Sequence, residues 1–329
     1  PREHRSEAYF FVQRKGKHIM LKGMAITPPI VGRISIGKVV EKNGRRLPEK
    51  DDEFTITTQV QTKDGWMLHP LNQSLRKDGN ANNKLRSIPV RVMFNDPDLN
   101  LRASYHYFDR QTGRPLCVGN GETCQRLTNQ GVEQHPCPSP DLCPLAQGGL
   151  CKPYGRLYVN LDESDEFGTF IFRTTGFNSI RTLAARLSYY HAASNGLLSC
   201  LPLQLILRGK STTQSYRTPV YYVDLTLRDG VNLQQAIQVA KEIDQQSKAS
   251  GFNQQALDQM ARQGYGNARF EVNSEEGLDL VEEFFVEKYS EVEQQPIDSK
   301  AKIKAKLNQD DGFVQDMQKG LQGSVRAVN

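Results

Sequence analysis

The sequence predicts an α+β protein, with antiparallel sheet regions, a cysteine-rich insertion near the middle and a helical C-terminal third. Three observations predict it. Up to about residue 110, short segments alternate apolar and polar residues and break at turn dipeptides, the period-2 pattern of half-buried strands. Five of the six cysteines then fall between Cys117 and Cys151, in Gly- and Pro-rich chain with neither a strand nor a helix period. From residue 231 onward, apolar residues recur at helical spacing. At 329 residues the chain is long enough to bury a sizeable core.

Residues 1–113 read as a strand-rich N-terminal region. "VGRISIGKVVEKNGRRL" is strand, Asn-Gly turn, strand. "DEFTITTQVQTKDGWML" alternates and then meets an Asp-Gly dipeptide, which suits a hairpin turn because such turns need positive φ. "SIPVRVMF" and "LNLRASYHYFD" are two more strands around the turn "NDPD". Residues 114–156 form the cysteine segment, and residues 157–230 a sheet-plus-helix core. There "GRLYVNL" and "GTFIFRTT" read as strands, and "PLQLILRGK" and "TPVYYVDLTLRD" as a strand pair. "NSIRTLAARLSYYHAAS" reads as a helix capped by Asn178, with Ile180, Leu183, Ala184, Leu187 and His191 on one face.

Residues 231–295 read as a helical region. Leu233, Ala236, Ile237, Ala240 and Ile243 make one stripe, and Gly251 ends that helix. "NQQALDQMARQG" is a short helix. "EEGLDLVEEFFVEKYSEVE" follows as an acidic helix with Leu278, Val281, Phe285 and Tyr289 on its apolar face. Residues 296–329 are a polar tail.

Charge excludes little. The formal net charge is +5, which is compatible with nucleic acid but equally common among enzymes. The stretch "SEEGLDLVEEFFVEKYSEVE" carries eight carboxylates against one lysine, so the chain before it is more basic than the average. Apolar runs are strand-length or broken by Pro202, so no membrane-spanning segment is expected. The first residues lack the uninterrupted apolar core of a secretory signal, which points to a cytoplasmic protein.

Three chemistries compete for the cysteines. Disulfides need an oxidising compartment, and nothing in the sequence exports the chain. A catalytic thiol stands alone with a histidine partner rather than in a group of five. Structural zinc needs four soft ligands, and short turn-rich spacings let the backbone wrap the ion. Cys137-x5-Cys143-x7-Cys151 supplies three such ligands. Cys117, set before "VGNG", is the first choice for the fourth, with Cys124 and then His135 as alternatives. Thiols in so aperiodic a segment also have too little apolar surface around them to be buried as ordinary core residues. The insertion is therefore expected to be a zinc knuckle with a structural, non-catalytic ion. Cys200, inside "GLLSCLPL", reads as core.

Other motifs are incomplete. "RGKSTTQS" ends like a phosphate-binding loop, but Gln204 stands where the required glycine would be. Its charges and hydroxyls, Arg208, Lys210, Ser211 and Arg217, still suit phosphate oxygens. So do Arg173, Asn178 and Arg181 at the start of the predicted helix, where free N–H groups and positive potential gather. Asp96, Asp98 and Asn100 follow the alternation of a calcium loop without its later Gly and Glu, and read as a side-chain-held turn. Asp162, Glu163, Asp165 and Glu166 could hold Mg²⁺ in a nuclease, although acidic loops between strands more often face solvent. No Ser-His-Asp or paired-carboxylate spacing is present.

Taken together, "VGRISIGKV", "LRSIPVRVMFNDPDLNLRASYHYFD", "GRPLCVGNGE", the cysteine segment, "CKPYGRLYV", "GTFIFRTTGFNSIRTLAARL" and "LRGKSTTQSYRTPVYYVDL" resemble a family from phages and integrative elements. The chain is similar, over about residues 28–290, to the recombination directionality factors that actinophages use with large serine integrases, and to the related group labelled "hydrolase or metal-binding protein". The resemblance implies a non-enzymatic accessory factor in site-specific DNA recombination in a bacterial host, with an integrase as its partner. A partner could read the apolar stripe Leu278, Val281, Phe285 and Tyr289. The resemblance leaves open another recombination or replication protein as partner, direct binding of single-stranded or duplex DNA, and a metal-dependent nuclease or hydrolase.

Overall fold

The computed structural model describes residues 29–42, 45–62, 65–76, 83–161, 168–211, 213, 216–265, 281 and 284. The chain divides into two units, residues 1–285 and 286–329, and every described residue belongs to the first.

The expected α+β character is present, but the sheet regions are joined in one mixed, twelve-stranded sheet. Strand β1 (Ile30–Lys42) and strand β2 (Arg45–Thr62) form a long hairpin, and β3 (Gly65–Leu68) folds back on β2. Thr62 pairs with Gly65, the glycine of the Asp-Gly dipeptide and the first residue of β3. The remaining strands are β4 (Ser87–Val92), β5 (Leu101–Phe108), β6 (Pro115–Gly119), β7 (Thr123–Thr128), β8 (Gly131–Pro136), β9 (Cys151–Leu161), β10 (Thr169–Thr174), β11 (Leu203–Lys210) and β12 (Val220–Leu227). Their order is β3-β2-β1-β10-β9-β5-β6-β7-β8, and β4 leads from β9 to the hairpin β11–β12. The N-terminal strands are thus interleaved with those of residues 157–230.

Strand β1 pairs antiparallel with β2 and parallel with β10. Gly32 sits between them. A Cβ there would lie 2.7 Å from the Thr57 carbonyl oxygen and from Phe170 Cδ1, so the close approach of three strands needs glycine.

The main core lies where Ile34, Phe54, Ile56, Leu157, Val159, Phe170 and Phe172 meet Val90, Leu203, Leu205, Val223 and Leu225. Helix α3 (Phe177–Ala193) closes it with Leu183 and Leu187, and α4 (Leu233–Ala249) with Ala236 and Ala240. The α3 stripe differs from expectation at its edge, since Ala184 is exposed and Tyr190 is buried. Helix α4 follows the predicted stripe and starts with a full capping box, Asn232 against Gln235. Two single-turn helices, α1 (Leu71–Ser74) and α2 (Pro97–Asn100), join strands. Helix α5 (Gln254–Tyr265) packs Ala261 on Phe94 and Leu99 in a second cluster.

Candidate functional site

Residues 114–156 were expected to be irregular, yet β6, β7 and β8 run through them. The reason the sequence hid these strands is chemical. Strand β8 is the outer edge of the sheet and exposes alternate residues, so "GVEQHP" needs no apolar face.

These strands gather the cysteines. Tyr107 pairs with both Cys151 and Cys117, and Cys117 pairs with Arg126, so the four side chains share one face across β9, β5, β6 and β7. Two residues along, Gly119 pairs with Cys124 and Cys124 with His135. Cys137 follows β8, and its N–H donates to the Glu122 carbonyl at 2.8 Å. A Cβ on Gly119 would stand 2.7 Å from Cys137 Sγ and 2.9 Å from Cys124 Cβ. The bare Cα of Gly119 is what lets both cysteines close over β6. Cys143 opens the 3-10 turn Pro144–Gly149, its carbonyl accepting the Ala146 N–H at 3.0 Å.

None of the six cysteines is joined in a disulfide. Burial pushes Cys151 up to about 12, and the sulfurs of Cys117, Cys137, Cys143 and Cys124 each add to the rise. Burial also pushes Cys117 up to about 11, opposed by a hydrogen bond from Arg126. The five thiols are therefore within electrostatic reach of one another. Even so, among the described residues no three His, Cys, Asp or Glu side chains stand as a ready-made metal-binding group. The thiols are gathered but not disposed about a common point. Cys124 is buried and donates to the Pro136 carbonyl at 3.6 Å. His135 Nε2 faces Glu133 Oε2 at 3.3 Å. Cys200 lies in the main core, as expected.

The phosphate-contact candidates separate into groups. Asn178 does not cap α3. The cap is Gly176, which makes no side-chain cap bond, and Asn178 Oδ1 instead accepts from Lys210 Nζ at 2.8 Å. That bond ties the helix to the end of β11. Arg208 Nε lies 2.6 Å from Asp224 Oδ2, and Arg186 Nε 3.0 Å from Asp224 Oδ1. Asp224 was not singled out in the sequence, although an aspartate within "VYYVDLTL" signals a buried polar group in need of partners. Arg181, Ser211 and Arg217 are exposed, and Arg217 has a positive φ of 61° beside the almost fully exposed Tyr216.

Arg173 belongs to a row invisible in the linear sequence. It pairs with Arg156, which pairs with Arg102, so three arginines stand side by side across β10, β9 and β5. Like charges directly opposite one another repel. Aromatic faces offset this: the Arg102 guanidinium lies 5.2 Å from the Tyr158 ring centroid and that of Arg156 5.7 Å from Tyr154.

The "NDPDLN" turn is held by side chains, Asp96 accepting from the Asp98 N–H and buried Asn100 from the N–H groups of Met93 and Phe94. The acidic loop candidates Asp162, Glu163, Asp165 and Glu166 lie outside the described residues, as do Leu278, Phe285 and Tyr289. Val281 is helical and half-buried. Phe284 is buried against Phe108 and Tyr154, with ring centroids 4.8 and 6.1 Å away, so this side chain packs on the protein's own sheet. At the opposite edge of the sheet, Val60, Met67 and Leu68 are exposed on β2 and β3. No helix among the described residues is long and apolar enough to cross a membrane.

Residues 31–228, from β1 to just past β12, match the family model described as Gp3-like: recombination directionality factor-like. No curated protein and no solved structure matches the chain.

Proposed function

Because the chain belongs to this Gp3-like, recombination directionality factor-like family, we propose that it is a non-enzymatic accessory factor of site-specific recombination in a mobile element. It acts in the bacterial cytoplasm by binding an integrase and changing which recombination product the integrase favours. The family match over residues 31–228 carries this reading. The exposed apolar edge of Val60, Met67 and Leu68 supports it, since a protein partner can cover such an edge while solvent cannot satisfy it. The test is a pull-down of the chain from its native host. Recovery of a serine integrase, together with a shift from integration to excision when the chain is added to a purified reaction, is the expected outcome. Loss of both overturns the reading.

A second reading has its own observation. Arg181, Lys210 and Arg217 lie on or beside elements joined by the Asn178–Lys210 bond, and they could meet phosphates directly. Direct DNA binding predicts a gel shift without integrase whose affinity falls steeply with salt, by a log–log slope of about −0.9 per phosphate neutralised. Binding that appears only with integrase present excludes it.

A further inference from the structure

We propose that the cysteine segment binds a structural zinc ion through Cys117, Cys137, Cys143 and Cys151, and that Cys124 packs beside the site rather than in it. The donor set fits such an ion. Soft thiolates in a tetrahedron are the commonest structural zinc sites, and four protein sulfurs leave no position open for a substrate.

The fold brings the four sulfurs from two strands and one excursion. Cys117 and Cys151 share a face of the sheet on either side of Tyr107. The chain then leaves β8 and turns through Ser139, at φ 66°, to Cys143. It returns through Gly148 and Gly149, at φ 70° and 73°, to Cys151. The left-handed Ser139 lacks glycine's freedom and costs about 1 kcal/mol, so it persists where something else holds the loop. Cys137 lies over the bare Cα of Gly119, in a space that any larger residue would fill. Among the described residues the sulfurs do not surround one point, so closing on the ion requires them to move.

Packing separates the two candidates for the fourth ligand. Cys124 is 2% exposed and held from two sides, donating to the Pro136 carbonyl at 3.6 Å and accepting from Arg126 Nη2 at 4.0 Å. Cys117 is only half-buried and lies opposite Arg126 across β6 and β7. Arg126 thus supplies the cation that a doubly negative tetrathiolate centre needs. His135 lies on the edge strand, its Nε2 3.3 Å from Glu133 Oε2 but without a hydrogen bond. The site stands whether or not the chain contacts an integrase.

The test uses the full chain, purified without a tag and dialysed to remove loose metal. Elemental analysis is expected to give one zinc per chain. C117S, C137S, C143S and C151S are each expected to lower that to less than half, while C124S leaves it unchanged. Should the serine variants fail to fold, mass-spectrometric alkylation of the parent chain decides the matter. Adding chelator is expected to make the four ligands reactive together and to leave Cys124 and Cys200 as they were. Sub-stoichiometric metal, a labelling pattern indifferent to chelator, or loss of metal in C124S but not in C117S overturns the assignment.

Discussion

Asp224 shows how one side chain can be both buried and charged. Burial alone would raise its carboxyl, but hydrogen bonds and charge from Arg186 and Arg208 outweigh that and hold it below the usual carboxylate range. A carboxylate held low contributes stability that is fully present above its unfolded pKa and is lost as pH falls through the folded one. Asp224→Asn is therefore expected to flatten the acid limb of a urea-midpoint-versus-pH curve. Asp224→Ala, which strands two half-exposed arginines, should cost about 2–3 kcal/mol at neutral pH, just under the range for fully buried pairs. Asp258 acts in the opposite sense. Burial raises its carboxyl despite hydrogen bonds from Gln254 and Asn95, so its contribution is greatest in acid and fades as pH climbs through the raised value. Asp258→Asn should improve stability at neutral pH relative to acid, read from the same midpoints. The position of Asp224 was odd in the sequence, but its partners were not legible there, because Arg208 and Arg186 lie 16 and 38 residues away.

The helices were the most legible elements, because a 3.6-residue apolar period survives whatever they pack against. Leu183 is fully buried on α3, and Leu183→Ala is expected to cost about 2–5 kcal/mol in chemical denaturation. Exposed Arg181→Ala, two residues earlier, should stay within about 0.5 kcal/mol. Removing the Asn232 cap of α4 should cost about 0.5–2 kcal/mol, seen as a lower thermal midpoint. The mistaken Asn178 cap has a simple cause. An asparagine at a helix start serves an N–H group or a nearby ammonium equally well, and the position of Lys210 cannot be read locally. Strand β8 escaped notice because an edge strand carries polar residues on both faces, and β6 and β7 because they are short runs between turns. The sequence nonetheless placed the five thiols in one short stretch, and spacing could not rank the fourth ligand because Cys117 and Cys124 sit on adjacent paired strands.

Across the whole molecule, strand character was legible but strand order was not. The sheet joins distant segments: Ser87 bonds Gln204 117 residues on, and Pro29 accepts from Thr169 140 residues on. The arginine row follows from that order, since Arg102, Arg156 and Arg173 become neighbours only once β5, β9 and β10 are side by side. A similar long reach brings Phe284 onto Phe108 and Tyr154. Phe284→Ala is expected to cost about 3–5 kcal/mol and to raise amide exchange in β5 and β9 before the main core responds.

The parallel seam between β1 and β10 has a consequence for synthesis on the ribosome. The β1–β2 hairpin emerges early, but the strand that covers its inner side is translated about 140 residues later. At about 5–20 residues per second, that side waits on the order of ten seconds, with its amides and carbonyls open to the wrong neighbour. The nascent chain is thus open to mispairing at β1, the first strand among the described residues, which finishes inside the sheet between β2 and β10.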